Sequence, residues 1–156
     1  MTDLRELYQE VILDHNKRPR NFRKLEGANR MAEGFNPLCG DHVTVYLHLE
    51  GDVIKDISFQ GSGCAIAKAS ASIMTSHLKG MSKGTALLLF EKFRRLVTGN
   101  CHTDPDPLEM EDLDVFSSVS KYPVRVKCAS LAWHTLRAAL VEGEKTVSTE
   151  AARGET

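Results

Sequence analysis

The stretch that decides the fold is residues 42–61, "HVTVYLHLEGDVIKDISFQG". Valine or leucine occupies every odd-numbered position from 43 to 49, and threonine, tyrosine or histidine lies between them. A period of two is typical of a strand with one buried face. The tripeptide "EGD" at 50–52 is a turn by composition, and "VIKDISFQG" then returns as a second strand. The stretch therefore predicts an antiparallel hairpin.

The sequence on either side predicts helices and one further strand. Before the hairpin, "ANRMAEGFN" at 28–36 is compatible with a third strand, and an amphipathic helix is predicted from an N-cap at Thr2 to just before Pro19. After the hairpin, apolar residues at helical spacing predict three more helices. Their patterns begin at Ala67, Ala86 and Cys128 and end at Gly80, Gly99 and Leu140. A short helix is also predicted over 108–121, before Pro123.

These elements add up to a single α+β domain over residues 1–141. We expect a small antiparallel sheet of about three strands, with the helices packed on one side of it. Residues 142–156, "EGEKTVSTEAARGET", are polar and poor in large apolar side chains, which predicts a disordered tail.

Composition excludes several classes of function. The 156 residues carry a formal net charge of −1, which gives no reason to expect nucleic acid or a membrane surface as a partner. No apolar run approaches the ~20 residues of a membrane span, and the N-terminus lacks the apolar core of a signal peptide. We therefore expect a cytoplasmic protein. Structural disulfides are rare there, so the four cysteines are expected to be thiols, metal ligands or reactive groups.

Three of the cysteines lie where a predicted loop meets a strand or helix. Cys39 and Asp41 lie in "NPLCGDHV" at 36–43, Cys64 follows "GSG", and Cys128 follows "YPVRVK". Glycines at 61 and 63 permit close backbone approach, and a helix N-terminus favours a thiolate. The alternative is that these cysteines are small buried hydrophobic residues. No Cys-x-x-Cys motif is present, so spacing alone makes a metal site only one of the possibilities.

Three motifs in order, "NPLCGD", "GSGCAIAKASAS" and "VKCASLAW", resemble the U-type iron–sulfur cluster assembly proteins, which include the IscU scaffolds and the N-terminal part of NifU. The resemblance runs over about residues 4–141 and is most similar to the SUF-type branch, SufU. Lys127 stands where the IscU branch has a histidine, the Leu-Pro-Pro-Val-Lys motif of that branch is absent, and residues 98–113 resemble an insertion of the SufU branch.

This resemblance implies a ligand set of Cys39, Asp41, Cys64 and Cys128, and tightly bound zinc. It also implies a pyridoxal-phosphate cysteine desulfurase of the SufS type as partner, with downstream SUF proteins or apo-proteins as recipients. A hard carboxylate among three thiolates suggests a site whose ligands can exchange.

Three functions use these residues. In the first, a sulfurtransferase-like protein accepts persulfide sulfur on Cys39. In the second, the same four ligands form a scaffold for a transient [2Fe–2S] cluster, with zinc in place of iron. In the third, zinc only stabilises an interaction domain.

The remaining polar features have plainer interpretations. The histidines are expected to be surface or structural residues, and Cys101 an exposed spare thiol or, less simply, a sulfur relay. A basic stretch follows the first helix and is either a solvated helix end or a docking surface: Lys17, Arg18, Arg20, Arg23 and Lys24.

Overall fold

The computed structural model describes residues 4–37, 40–97, 116, 122–142 and 144–148. In chain order its elements are α1 (Leu4–Lys17), β1 (Arg30–Asn36), β2 (Asp41–Glu50), β3 (Val53–Ser62), α2 (Ala65–Leu78), α3 (Lys83–Val97), α4 (Pro123–Glu142) and β4 (Glu144–Ser148). They form one four-stranded sheet in the order β3-β2-β1-β4.

The predicted hairpin and the third strand are confirmed. β2 pairs antiparallel with β3 and with β1, so that Val45 lies between Phe59 and Ala32. One face of these strands is buried, and its apolar side chains form one core with those of helices α2 and α4. The side chains at 43, 45, 47 and 49 of β2 all belong to this core, which confirms the period of two that was predicted for this strand.

The prediction that the helices pack on one side of the sheet is also confirmed. α4 packs against β1 and β2, and α2 packs against β3. Both helices meet the same face, because Ala67 of α2 and Leu131 of α4 line one small cavity with Val43 of the sheet. α1 packs on α2, and α3 packs on α4. Gly34 lets α4 approach β1, since a Cβ there would overlap the hydroxyl of Thr135.

The start of α4 and the presence of β4 differ from the sequence prediction. α4 begins at Pro123, five residues before Cys128, because proline is well tolerated in the first turn of a helix, where its missing N–H has no intrahelical partner. The polar segment predicted to be disordered contains β4, which pairs in parallel with β1 from Met31↔Glu144 to Phe35↔Ser148. Backbone hydrogen bonds to an edge strand require no apolar pattern, so the composition gave no sign of this strand.

Several predictions fall outside the described residues. These are the N-cap at Thr2, the helix end at Gly99, most of the short helix over 108–121, and the side chains of Cys39 and Cys101. Phe116 is described, and it is buried with its ring 5.6 Å from that of Phe93. No helix in the described part of the chain combines the length and apolarity that crossing a membrane requires.

Candidate metal centre

Three of the four predicted ligands converge at one end of the sheet. Asp41 is the first residue of β2, Cys64 is the N-cap of α2, and Cys128 lies in the second turn of α4. One ligand-type atom from each lies within 4.8 Å of the others. Asp41 and Cys128 are 2% and 3% exposed, and Cys64 is half-buried, so the group opens towards solvent on the side of Cys64. Cys39, the fourth predicted ligand, lies outside the described residues.

Asp41 is fixed by hydrogen bonds to both of its carboxylate oxygens. Its Oδ1 accepts from the backbone N–H of Cys64 at 2.8 Å, and its Oδ2 accepts from Nδ2 of Asn36 at 3.0 Å. The first bond requires the segment before α2 to pass directly over the carboxylate. Gly63 makes this possible, because its φ is +150° and any Cβ there would collide with Oδ1 of Asp41. The predicted role of this glycine in close backbone approach is confirmed.

The two thiols are held in different ways. Cys64 caps α2, and its Sγ accepts from the backbone N–H of Ala67 at 3.4 Å. This confirms the predicted place of Cys64 at a helix start. Cys128 was also predicted at a helix start, and that is wrong, because α4 has already made more than one turn before it. The Sγ of Cys128 instead accepts from Nδ2 of Asn36 at 3.5 Å.

Asn36 was missed as a site residue. The sequence places it at the end of the possible third strand over 28–36, and no role in the site was predicted for it. In the structure it is the last residue of β1 and pairs with Asp41 across the sheet. It is fully buried. The alternation of side chains along β1 could have indicated that Asn36 is buried, since Ala32, Gly34 and Asn36 share the face that packs against α4. An amide on a buried face must find hydrogen-bond partners there.

The chemistry of the donor set fits a thiophilic divalent ion. Zinc is bound by cysteine sulfur at ~2.3 Å and by carboxylate oxygen at ~2.0–2.2 Å, which places neighbouring ligand atoms of a tetrahedron about 3.5 Å apart. The Sγ of Cys64 and the Oδ2 of Asp41 are 3.8 Å apart. A carboxylate and two thiols gathered in a buried group repel one another once ionised, and a cation between them removes that repulsion. Among the described residues, Cys64 and Cys128 are not joined by a disulfide.

Two residues of the predicted basic stretch form ion pairs. Arg20 binds Asp14 at 2.8 Å, which lowers the pKa of that carboxyl group, and Arg23 binds Asp56 at 3.0 Å. Lys17, Arg18 and Lys24 are exposed. The segment also anchors on the middle of α2, where Ser72 accepts from the backbone N–H of Arg20 at 2.8 Å. Since Ser72 is eight residues from Cys64, this surface lies about 12 Å along the helix from the metal centre.

The comparisons with known proteins identify the family. The profile of the NifU-like N terminal domain matches residues 7–149, which is most of the chain. The chain belongs to the NifU-like N-terminal domain family. The chain is similar to the zinc-dependent sulfurtransferase SufU of Bacillus subtilis (strain 168). The two are 38% identical over 138 residues, which are 88% of this chain and 92% of that protein.

Other relatives of this chain carry the name of scaffold proteins. The iron–sulfur cluster assembly scaffold protein IscU of Streptococcus pyogenes serotype M1 is 37% identical over 140 residues, which are 90% of this chain and 86% of that protein. Among solved structures, a candidate SUF-system scaffold protein from Fervidobacterium islandicum AW-1 superimposes with a TM-score of 0.78 at 37% identity, over 86% of this chain and 97% of that chain. The fold predicted from the motifs is thereby confirmed.

Proposed function

We propose that this chain is an iron–sulfur cluster assembly protein that accepts sulfur from a cysteine desulfurase at a zinc site. The observation that carries the proposal is the convergence of Asp41, Cys64 and Cys128 in one buried group at the sheet end. The similarity to a relative named as a zinc-dependent sulfurtransferase supports this reading of the group. Zinc would be held by Asp41, Cys64, Cys128 and Cys39, and would keep the acceptor thiol deprotonated.

Cys39 is proposed as the fourth ligand and as the sulfur acceptor. It precedes Asp41 by only two residues, which keeps it within covalent reach of the group. Gly40, between them, has a φ of +69°, a left-handed conformation that glycine adopts without strain. Cys64 and Cys128 are held in helices, whereas Cys39 belongs to the connection between two strands. We therefore propose Cys39, rather than the two thiols that are held by helices, as the sulfur acceptor.

The proposed transfer exchanges one sulfur–sulfur bond for another. The thiolate of Cys39 attacks the outer sulfur of a persulfide on the desulfurase, and a new S–S bond forms on this chain. The S–S bond on the desulfurase breaks, and its cysteine leaves as a thiolate, so neither oxidant nor reductant is consumed. If zinc is bound by these residues, Asp41 would be its most readily exchanged ligand, because a hard oxygen suits a thiolate-rich zinc site less well than sulfur does.

We also propose a desulfurase of the SufS type as the sulfur donor, and downstream SUF proteins or apo-proteins as recipients, in the cytoplasm. The exposed cations at 17, 18 and 24 are candidates for the rim of that docking surface.

A second function is favoured by the scaffold relatives. The IscU protein of Streptococcus pyogenes covers 90% of this chain at nearly the same identity as the sulfurtransferase. In that case Cys39, Asp41, Cys64 and Cys128 would hold a transient [2Fe–2S] cluster. Three thiolates and a carboxylate bind such a cluster less firmly than four thiolates do, which suits a cluster that is passed on.

The two functions are separated by following the sulfur. The zinc-loaded protein is incubated with a SufS-type desulfurase and cysteine, and the products are analysed by intact and peptide mass spectrometry. We expect one additional sulfur on Cys39, its loss in Cys39→Ser, and faster cysteine turnover when the protein is added. Cys101→Ser is the matched control and should still accept sulfur. Sulfur on Cys64 or Cys101 with Cys39 unmodified would refute the assignment. In a parallel incubation of metal-free protein with ferrous iron and a thiol reductant added, a [2Fe–2S] absorption spectrum without stimulated turnover would favour the scaffold.

A further inference from the structure

We propose that Asn36 is a positioning residue that sets the metal affinity of the site through Asp41 and Cys128. The proposal rests on the proposed function in one respect, namely that these two residues are metal ligands. It goes beyond that function because it assigns the control of their spacing to a side chain that is not itself a ligand.

The first observation is the double contact of one nitrogen. Nδ2 of Asn36 lies 3.0 Å from Oδ2 of Asp41 and 3.5 Å from Sγ of Cys128. An amide nitrogen has two N–H donors, so it can donate to both acceptors at once. The orientation of the amide follows from its neighbours, since a carboxylate and a thiol sulfur both favour the donor end of the group.

The second observation is burial. Asn36 is fully buried, and Asp41 and Cys128 are nearly so. A buried hydrogen bond to an anion contributes more than one at the surface, because no water is available to replace it. In this setting the amide bridges two groups that repel each other when ionised, and it does so without adding charge of its own.

The third observation concerns where the three residues come from. Asn36 ends β1, Asp41 begins β2, and Cys128 lies on α4, which packs against both strands. Among the described residues, the side chain of Asn36 hydrogen-bonds both Asp41 and Cys128. It therefore fixes the distance between a strand-borne and a helix-borne ligand before the metal arrives. Cys64 needs no such help, because the Ala67 N–H and the Asp41 carboxylate already hold it.

The expected consequence is a specific loss of affinity. Partners of this kind, which hydrogen-bond metal ligands, typically change metal affinity by about 10–100-fold when they are removed. We therefore expect Asn36→Leu, which keeps the approximate volume but lacks the donors, to bind zinc about 10–100-fold more weakly than the parent protein. The loss should be much smaller in an Asp41→Ala background, because one of the two ligands that Asn36 positions is already gone.

The experiment measures zinc affinity by competition with a chromogenic chelator, for the parent protein, Asn36→Leu, Asp41→Ala and the double variant. Cobalt(II) absorption spectra report whether the ligand geometry has changed. Asn29→Leu is the matched control, since Asn29 also makes two hydrogen bonds, to the backbone of Leu49, away from the site. If Asn36→Leu does not fold, Asn36→Ser is used, since its shorter hydroxyl cannot reach both acceptors.

The outcomes separate this proposal from the proposed function. Weaker zinc binding and an altered cobalt spectrum in Asn36→Leu, with Asn29→Leu unchanged and with the effect reduced in the Asp41→Ala background, support the proposal. Unchanged affinity in Asn36→Leu overturns it while leaving the metal site intact. An equal loss in Asn29→Leu, or a full-sized effect in the Asp41→Ala background, also overturns it. A parent protein that binds no zinc refutes the proposed function itself.

Discussion

Two groups of buried polar side chains lie along the same helix, α2, and their difference separates a ligand site from a structural contact. At the start of the helix, the metal-centre group contains Asn36, Asp41, Cys64 and Cys128. Halfway along, the Ser72 cluster contains the buried side chains of His15, Ser72 and Thr75, the side chain of Asn21, and the backbone N–H of Arg20. Both groups join distant parts of the chain.

The two groups differ in the balance of donors and acceptors. In the Ser72 cluster, the hydroxyl of Ser72 accepts from Arg20 N–H at 2.8 Å and lies 2.7 Å from Nδ1 of His15, while Thr75 donates to the carbonyl of Ser72 at 3.0 Å. Amide, hydroxyl and imidazole groups meet one another there, and none of the five residues carries a carboxylate or a thiol. The metal-centre group instead collects a carboxylate and two thiols, all of which become anions. Polar burial alone therefore does not indicate function, whereas an excess of anionic acceptors does.

Of the changes that test this difference between the two groups, loss of zinc or of its proposed ligand Cys64 is expected to lower the melting temperature most. Zinc present at 100–1,000 times its dissociation constant stabilises the folded state by about 2.7–4.1 kcal/mol, and each kcal/mol shifts the melting temperature by about 2–4 °C in a chain of this size. We expect chelation to lower the melting temperature of the parent protein by roughly 5–15 °C. Cys64→Ala should melt at the lower temperature already and show no further shift with chelator.

The control for this measurement is Cys101→Ser, which removes a thiol that is not among the proposed ligands. It should respond to the chelator as the parent protein does. A parent protein whose melting temperature is the same before and after verified zinc removal would show that the metal-centre group adds nothing to folding.

A smaller loss of stability, without any loss of zinc binding, is expected at Ser72. Ser72→Ala removes the partner of the Arg20 N–H and of His15, and a buried group left without its partner costs about 1–3 kcal/mol. The melting temperature should fall, while zinc stoichiometry and affinity stay at the parent values. Thermal melts at saturating zinc, combined with chelator competition, measure both quantities. Loss of zinc in Ser72→Ala would mean that the two groups are coupled through α2 and that the contrast is mistaken.

These contrasts also show what the sequence could and could not supply. The hairpin was predictable because alternating apolar residues fix which face is buried, and Cys64 was predictable as a helix cap from the preceding glycines. The role of Asn36 was not, because it depends on a partner in α4 that is 92 residues away in the chain. β4 was missed for a related reason, since its pairing with β1 is made by backbone groups and leaves no mark in composition.

The smallest expected effect is at His134, an exposed residue of α4 that belongs to neither group. Partial desolvation of the imidazole by its neighbours lowers the pKa of His134 below its usual 6.5, and the positive charges of Arg137 and Arg94 lower it further. The folded state then binds a proton less readily than the unfolded chain, so stability is full above about pH 6.5 and decreases as the pH falls below it. The imidazole packs edge-on to Phe90 at 5.2 Å, so His134→Phe offers a replacement of suitable shape.

The measurement is the difference in melting temperature between pH 7.5 and pH 5.5, for the parent protein and for His134→Phe. The decrease on acidification should be smaller in the variant. An identical decrease in both proteins would assign the pH dependence to other residues.

The parallel pairing of β4 with β1 has a practical consequence for handling the protein. Because Ser148 lies opposite Phe35, β4 ends at the same end of the sheet as Asn36, and whatever follows Ser148 is tethered there. An oligohistidine purification tag attached within about eight residues after Ser148 would stay within about 27 Å of it, because an extended chain spans at most about 3.3–3.6 Å per residue. Its imidazoles would compete with the cysteines for the same ion, so metal analysis requires protein from which such a tag has been cleaved.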